Sequence, residues 1–131
     1  MRQPPGRKNA LGELKILFPN KHSIYMHDTP AKSLFRNESR AFSHGCVRLQ
    51  KPREMAAAVL GKSTEYIASR IAGGRNSADP VKAPIPVYVA YFTAWPDPQQ
   101  GTVRYYDDIY ERDISLSRAI ERTNSARHAE S

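Results

Sequence analysis

The chain has 131 residues, a net charge of +7, 40% hydrophobic residues and 25% charged residues. This length fits one ordinary domain, and the balance of apolar and charged residues is typical of a folded protein. No apolar run approaches the roughly 18 residues that a membrane helix needs, and no basic run with interleaved aromatic residues indicates specific nucleic-acid recognition. The positive charge favours an anionic neighbourhood, and nucleic acid, a membrane surface or an acidic wall polymer would each fit.

The first part of the chain predicts two short strands. Residues 1–13 are rich in turn-forming residues, and two apolar segments follow, Leu14–Phe18 and Ile24–His27, joined by the polar turn PNKHS. Alternation along the second strand places Tyr25 and His27 on one face. No apolar stretch follows the basic start of the chain, so the sequence predicts no signal peptide.

The middle of the chain predicts an extended segment and then two helices. Within Gly45–Leu49, alternation places Cys46 and Arg48 on the same face. The predicted helices run over Pro52–Leu60 and Thr64–Ala72. Residues 31–41, which precede this extended segment, are polar and irregular.

The C-terminal part predicts a hairpin and a tail. Ile85–Trp95 is dense in β-branched and aromatic residues and is the strongest predicted strand, with Thr102–Tyr106 as its partner. A weak helical pattern begins near Ser115. The sequence therefore predicts a mainly β, α+β fold with a helical insertion after the cysteine. It predicts one domain over residues 1–114 and a weakly helical or disordered tail over residues 115–131.

Cys46 is the single cysteine of the chain and stands within Ser43-His44-Gly45-Cys46, so no internal disulfide can form. A thiol attacks as thiolate, and a free cysteine, with a pKa of about 8.5, is only slightly ionised at neutral pH. A nearby histidine can take the proton, and both His44 and His27 are candidates. Gly45 lets a substrate carbonyl approach closely, and the amides of Gly45 and Cys46 are candidate oxyanion donors.

Other side chains admit both functional and structural interpretations. Arg48, on the face of Cys46, is a candidate to bind a substrate carboxylate, and Arg40 is a second candidate that could equally be an exposed structural arginine. A lone cysteine is more often a small buried hydrophobe. A third interpretation is a metal site of His27, His44 and Cys46, although the close ligand pairs typical of zinc are missing. No cofactor is predicted.

A histidine followed by fifteen residues and then Ser-His-Gly-Cys resembles the signature of the L,D-transpeptidase catalytic domain, the YkuD family. Here the match is His27, residues 28–42, and Ser43 to Cys46. The segments PPGRKNALGELKILFPN, IYMHDTPAKSLF, RAFSHGCVRLQKP and VYVAYFTAW resemble the large Gram-negative subgroup of that family. The resemblance runs from about Pro5 to about Asp113.

The resemblance implies a β-sandwich domain that cross-links peptidoglycan. In such enzymes the cysteine attacks the diaminopimelyl–D-alanine bond of a tetrapeptide stem and passes the acyl group to a diaminopimelate amine, which gives a 3→3 cross-link. Related members attach a lipoprotein, and carbapenems acylate the same cysteine. The resemblance implies Cys46 as nucleophile and His27 as general base, oriented by the carbonyl of Asp28. It also implies oxyanion, pocket and substrate-contact roles for Gly45, His44, Ser43 and Arg48.

The family's catalytic domain has several strands ahead of the point where this chain starts. The large subgroup also has a peptidoglycan-binding domain and a membrane-anchoring or signal segment. The resemblance therefore implies an N-terminally incomplete domain, located in the periplasm or cell envelope, that acts on peptidoglycan stem peptides. The alternative is a truncated, catalytically inactive fragment with at most weak cell-wall binding through its positive charge.

Overall fold

The computed structural model describes residues 6, 8–43 and 45–129. Contacts within the chain divide it into two units, Met1–Val87 and Tyr88–Ser131. Among the described residues, the first unit contains a three-stranded sheet and two α-helices, and the second contains a two-stranded hairpin and one long helix. None of the described helices is both long and apolar enough to span a membrane.

The sheet of the first unit consists of β1 (Lys15–Leu17), β2 (Tyr25–His27) and β3 (Val47–Arg48), in that order. β2 lies in the centre, antiparallel to β1 and parallel to β3. The predicted first two strands are therefore confirmed, and the extended segment after Gly45 is a strand over two residues. The central position of β2 places its last residue, His27, between two neighbouring segments.

The turn between β1 and β2 is closed by one side chain, that of Asn20. Its Nδ2 donates to the carbonyl oxygens of Phe18 at 2.9 Å and Ile24 at 2.7 Å. Its Oδ1 accepts from the backbone N–H groups of His22 and Ile24, each at 3.0 Å. An asparagine in a turn replaces missing backbone partners in this way, and it fixes the register of the two strands.

Both predicted helices of the first unit are confirmed, and their ends follow local chemistry. Helix α1 (Pro52–Leu60) begins at a proline, whose missing N–H is not needed at a helix start. It ends at Gly61, which has the left-handed φ of +60°. Helix α2 (Thr64–Ala72) begins after Ser63, whose hydroxyl oxygen accepts from the Tyr66 N–H at 3.2 Å.

The core of the first unit is small and lies mainly between the two helices. Its buried members are Ala56, Ala57 and Ile67. Partly buried apolar side chains pack around them: Leu14, Leu60 and Ile71. Leu14 directly precedes β1, so the same cluster joins the sheet to the helices. The Glu13 carboxylate strengthens this junction, because the Arg53 Nη2 of α1 donates to it at 2.8 Å.

The second unit contains β4 (Ala94–Asp97), β5 (Thr102–Tyr105) and α3 (Arg112–Ala129). The strands form an antiparallel hairpin, as predicted. Asp108 caps α3, because its carboxylate oxygens accept from the N–H groups of Arg112 at 3.0 Å and Asp113 at 2.7 Å. The tail, in which the sequence has a weak helical pattern from about Ser115, lies in this helix of 18 residues.

The strand predicted over Ile85–Trp95 is wrong for most of its length, because only its last two residues lie in a strand, β4. A strand requires a partner for its backbone groups, and residues 85–93 have no strand partner among the described residues. Pro86 also removes a donor from the segment. High β-propensity alone was insufficient, and large apolar side chains such as Val89 and Phe92 are exposed.

The predicted α+β class is confirmed by the small sheets and helices of the structure. The expected dominance of β-structure is not observed, because more of the described residues lie in helices than in strands. A β-sandwich is not evident either, since each sheet is small and belongs to a different unit. The predicted domain boundary after residue 114 stays a prediction.

Candidate active site

The central strand β2 presents Tyr25 and His27 on one face of the three-stranded sheet. His27 pairs with Lys15 on β1 and with Arg48 on β3. Because paired residues of neighbouring strands project to the same side, Lys15 and Arg48 share this face. Continuing the parallel register by one residue brings Cys46 beside Tyr25. The structure therefore brings the predicted His27 and Cys46 onto adjacent segments of one sheet face.

The His27 ring is held by its own chain neighbourhood. The residue is only 6% exposed, and its Nδ1 lies 2.5 Å from the carbonyl oxygen of Asp28. Since a carbonyl oxygen can only accept, Nδ1 carries the proton and Nε2 keeps a free lone pair. The His27 carbonyl oxygen accepts from the Leu49 N–H at 2.8 Å, which attaches this residue to the segment that follows Cys46. In this tautomer the imidazole can take a proton at Nε2.

Tyr25 is a candidate functional residue that the sequence interpretation missed. Burial raises the pKa of Tyr25, and the adjacent Cys46 side chain raises it further. A phenol that keeps its proton can donate a hydrogen bond to a thiolate and stabilise its charge. The Tyr25 and His27 rings also meet edge to face, with 5.9 Å between their centroids. Alternation was the available signal, because Tyr25 stands two residues before His27 on the same strand.

The turn before Cys46 is braced by Ser43. The Ser43 hydroxyl donates to the Cys46 carbonyl oxygen at 2.8 Å, and the Gly45 N–H donates weakly to Ser43 Oγ at 3.5 Å. Gly45 has a φ of +146°, which favours glycine. The predicted substrate contact of Ser43 and oxyanion role of Gly45 stay predictions. His44 lies outside the described residues, and its predicted support of the pocket stays a prediction as well.

The carboxylate of Asp28 is buried beside the candidate base and has two compensating contacts. Its Oδ2 accepts from the Glu13 N–H at 3.0 Å. Its Oδ1 is buried without a well-aligned hydrogen bond, and the Lys32 ammonium 2.7 Å away balances its charge. A buried carboxylate without such partners would strongly destabilise the fold. The Asp28 side chain therefore fixes the backbone that carries the carbonyl partner of His27.

Gly12 leaves the space that this carboxylate needs. Its φ is +62°, and a Cβ atom built there would collide with the Cγ and Oδ2 atoms of Asp28. We therefore expect Gly12→Ala to lower the free energy of unfolding by about 2 kcal/mol or more, since a left-handed backbone alone costs about 1–2 kcal/mol with a side chain. Urea denaturation measures this change.

The matched control is Gly61→Ala. Gly61 has nearly the same φ, +60°, but no atom lies within 4 Å of a Cβ built there. Its loss of stability reports the backbone cost alone, so Gly12→Ala should be clearly the more destabilised variant. Equal losses in the two variants would contradict the steric role assigned to Gly12.

Acid is expected to destabilise the protein through Asp28. Burial raises the pKa of this carboxyl group, but the contacts with Lys32 and the Glu13 N–H more than offset it and the pKa is lowered. A group with a lowered pKa stabilises the fold above its unfolded value, about 3.9, and this contribution is lost as the pH falls through the folded pKa. The free energy of unfolding should therefore fall as the pH decreases below about 4.

Urea denaturation of Asp28→Asn across the same pH range should give a shallower acid decline than the unaltered protein. Asp79→Asn is the control, because Asp79 is paired with Arg70 by a contact of 2.7 Å near the surface, where ion pairs contribute little. An unchanged acid decline in Asp28→Asn would show that other carboxyl groups cause it.

The two predicted substrate arginines have different surroundings. Arg48 is half-buried on the site face, and its guanidinium group has no ion pair with any described acidic residue. Arg40 is exposed, and its Nε donates to the Asn37 carbonyl oxygen at 2.8 Å, which braces the loop. Arg48 is therefore the better placed of the two for a substrate carboxylate, and both roles stay predictions.

The metal interpretation involves residues that the structure describes only in part. Among the described residues, no group of three or more histidine, cysteine or acidic side chains could hold a metal ion. His44, the third ligand that this interpretation requires, is not among them.

The site has the groups that thiolate chemistry requires. Cys46 is partly exposed, a histidine with a free Nε2 lies on the adjacent strand, and a protonated phenol lies next to the sulfur. These features define a class of proteins with a cysteine–histidine pair on a sheet face.

The model of the YkuD family, the L,D-transpeptidase catalytic domain, matches residues 1–89. A Haemophilus influenzae protein described as "Putative L,D-transpeptidase" is 35% identical over 123 residues, which cover 89% of this chain and 24% of that protein. The chain therefore belongs to the YkuD family of L,D-transpeptidase catalytic domains. It spans about a quarter of the length of that relative.

Proposed function

We propose that this domain catalyses acyl transfer on peptidoglycan stem peptides through Cys46, and that the product is a 3→3 cross-link. The observation that carries the proposal is the placement of His27 and Cys46 on adjacent segments of one sheet face. The contact between His27 Nδ1 and the Asp28 carbonyl oxygen leaves Nε2 free to take the thiol proton.

In the first half-reaction, Cys46 Sγ attacks the carbonyl carbon between diaminopimelate and D-alanine of a donor tetrapeptide. His27 Nε2 takes the thiol proton and then gives it to the departing amine of D-alanine, which leaves a thioester. In the second half-reaction, the side-chain amine of diaminopimelate on another stem attacks the thioester and loses a proton to His27. The amide product departs and the Cys46 thiol is restored.

The remaining residues of the site have roles that their positions support. The Tyr25 hydroxyl, next to the sulfur, donates to the thiolate before attack. The amides of Gly45 and Cys46 donate to the oxyanion, a type of contact worth about a hundred- to a thousand-fold in rate. Arg48 binds a stem carboxylate, because its guanidinium group lacks an acidic partner in the described chain.

The proposed substrate places the protein at the cell wall, in the periplasm or cell envelope. A net charge of +7 suits an anionic wall polymer. Cross-linking of this kind contributes to cell-wall organisation and cell shape. The same thiolate would be acylated by a carbapenem, whose ring-opened product remains attached to the sulfur.

The proposal is tested by mass spectrometry of the intact protein after incubation with a carbapenem. We expect a single adduct with the mass of one drug molecule on a chain that contains one cysteine. A second sample receives a synthetic tetrapeptide stem, and we expect release of D-alanine. With an acceptor stem present, a cross-linked dimer should form in place of the tripeptide that hydrolysis of the thioester releases.

Folded protein that gives neither adduct nor D-alanine would overturn the proposal. Co-sedimentation with peptidoglycan sacculi at low and high salt then tests the alternative, which is binding to the cell wall without catalysis. Retention that salt abolishes would indicate wall binding through the positive charge without catalysis. Adduct formation without the cross-linked dimer would retain the thiolate chemistry and assign another acyl acceptor.

A further inference from the structure

Lys32 joins three parts of the chain that meet around the candidate site. It is the first residue of a short 3₁₀ helix, Lys32–Arg36, that follows the strand carrying the candidate base. Its ammonium group lies 2.7 Å from Asp28 Oδ1, and it donates to the carbonyl oxygens of Leu49 and Gln50, each at 2.9 Å. Two of its three N–H donors are therefore used by backbone carbonyl groups, and the contact with Asp28 is an ion pair.

The partners of Lys32 lie directly beside the two reacting side chains in the sequence. Asp28 follows His27, and its backbone carbonyl accepts from the His27 ring. Leu49 and Gln50 stand three and four residues after Cys46 on the same segment. One side chain therefore ties the segment of the base to the segment of the nucleophile, with two contacts on the second and one on the first.

We propose that Lys32 is a positioning residue of this site: its ammonium group fixes the distance between the strand that carries His27 and the segment that carries Cys46. The inference rests on the proposed function. The polar contacts of Lys32 are with the Asp28 carboxylate and the two carbonyl groups, and it acts through these groups on the positions of the reacting side chains.

The backbone pairing between the strand of His27 and the segment of Cys46 is short. β2 and β3 are paired over two residues, Met26 with Val47 and His27 with Arg48. One further backbone contact, from the Leu49 N–H to the His27 carbonyl oxygen at 2.8 Å, extends the pairing. A parallel pair of this length is weak, since isolated short strands are marginal. A side chain that bridges the two segments beyond their last paired residues limits their relative movement.

Lys32 both balances the buried Asp28 carboxylate and bridges the two segments, and only the bridging role predicts a slower reaction in protein that is still folded. Its side chain is 44% exposed, whereas that of Asp28 is 9% exposed. Loss of the ammonium group would leave the buried Asp28 carboxylate without its counter-charge, so Lys32→Met is also expected to lower the free energy of unfolding. Rate is more sensitive, because a displacement of about 1 Å between reacting groups can cost on the order of a hundred-fold.

The experiment compares Lys32→Met with the unaltered full chain. The rate of Cys46 acylation by a carbapenem is measured by intact-protein mass spectrometry at neutral pH. The temperature is one at which circular dichroism shows both proteins folded. We expect acylation to be roughly ten- to a hundred-fold slower in Lys32→Met. Lys32→Arg retains the charge and several donors, and it should recover most of the rate.

A second readout separates positioning from general damage. Iodoacetamide alkylates a thiolate, and near pH 10 a cysteine ionises without a histidine. The alkylation rate at this pH should therefore be the same in Lys32→Met and the unaltered protein, while the acylation rate differs. The matched control is Lys62→Met, which also removes one positive charge; its ammonium group lies 5.6 Å from the Tyr66 ring centroid. In this control variant Cys46 should be acylated at the same rate as in the unaltered protein.

Each outcome either supports or overturns the inference. Equal acylation rates of folded Lys32→Met and the unaltered protein would overturn it and leave the proposed function intact. Lack of acylation in the unaltered protein would overturn the proposed function itself. If Lys32→Met does not fold, Lys32→Gln replaces it, because its amide can donate to the carbonyl groups of Leu49 and Gln50 without balancing Asp28. Full-rate acylation of folded Lys32→Gln would then contradict the role of the charge.

Discussion

Cys46→Ala is expected to abolish covalent labelling by a carbapenem and release of D-alanine from a tetrapeptide stem. The chain has one cysteine, so no second thiol can replace it. Serine and threonine hydroxyl groups remain protonated at neutral pH and would need a different activating arrangement. The loss should therefore be complete within the detection limit of intact-protein mass spectrometry.

The variant should otherwise resemble the unaltered protein. Cys46 is only partly buried, so truncation at Cβ removes little packing and should change the free energy of unfolding by less than about 1 kcal/mol. Equal circular dichroism spectra and urea midpoints would verify this. Labelling of Cys46→Ala at another residue would contradict the nucleophile assignment. Unchanged, salt-sensitive retention on sacculi would show that wall binding does not depend on the thiol.

Elements whose signals are local could be predicted from the sequence. Helix α1 begins at Pro52 and α2 begins after Ser63, and both residues act within one helical turn. The β1–β2 hairpin was equally accessible, because apolar alternation and a turn rich in polar residues stand next to each other in the chain. The motif around Cys46 likewise identified the family.

Features that depend on distant partners could not be predicted in this way. The segment over residues 85–93 has strong β-propensity, but a strand exists only where another strand supplies hydrogen bonds. The contact of Lys32 with Leu49 and Gln50 joins residues 17 and 18 positions apart and has no motif of its own. The Tyr25 hydroxyl lies beside Cys46 because β2 and β3 are parallel in one particular register, which the sequence alone does not determine.

His27→Ala is expected to slow carbapenem acylation of Cys46 by about 10²- to 10⁴-fold at neutral pH, the usual contribution of a general base. The reason is geometric: the Asp28 carbonyl oxygen occupies Nδ1, so the free Nε2 is the acceptor that the thiol proton requires. His44→Ala should have a much smaller effect. The measurement is the acylation rate of both variants by intact-protein mass spectrometry.

The assignment of the base depends on the order of these two effects. His27 is buried, so alanine also leaves a cavity. His27→Gln fills more of this space and can still donate to the Asp28 carbonyl oxygen, but it cannot take a proton. It should therefore be as slow as His27→Ala while remaining folded. At pH values well above the ordinary pKa of a free thiol, about 8.5, a cysteine needs no base to form a thiolate, so the difference from the unaltered protein should become small there. If His44→Ala is the slower variant at neutral pH, the base is His44, and the contact between His27 and Asp28 serves only to hold the end of the strand.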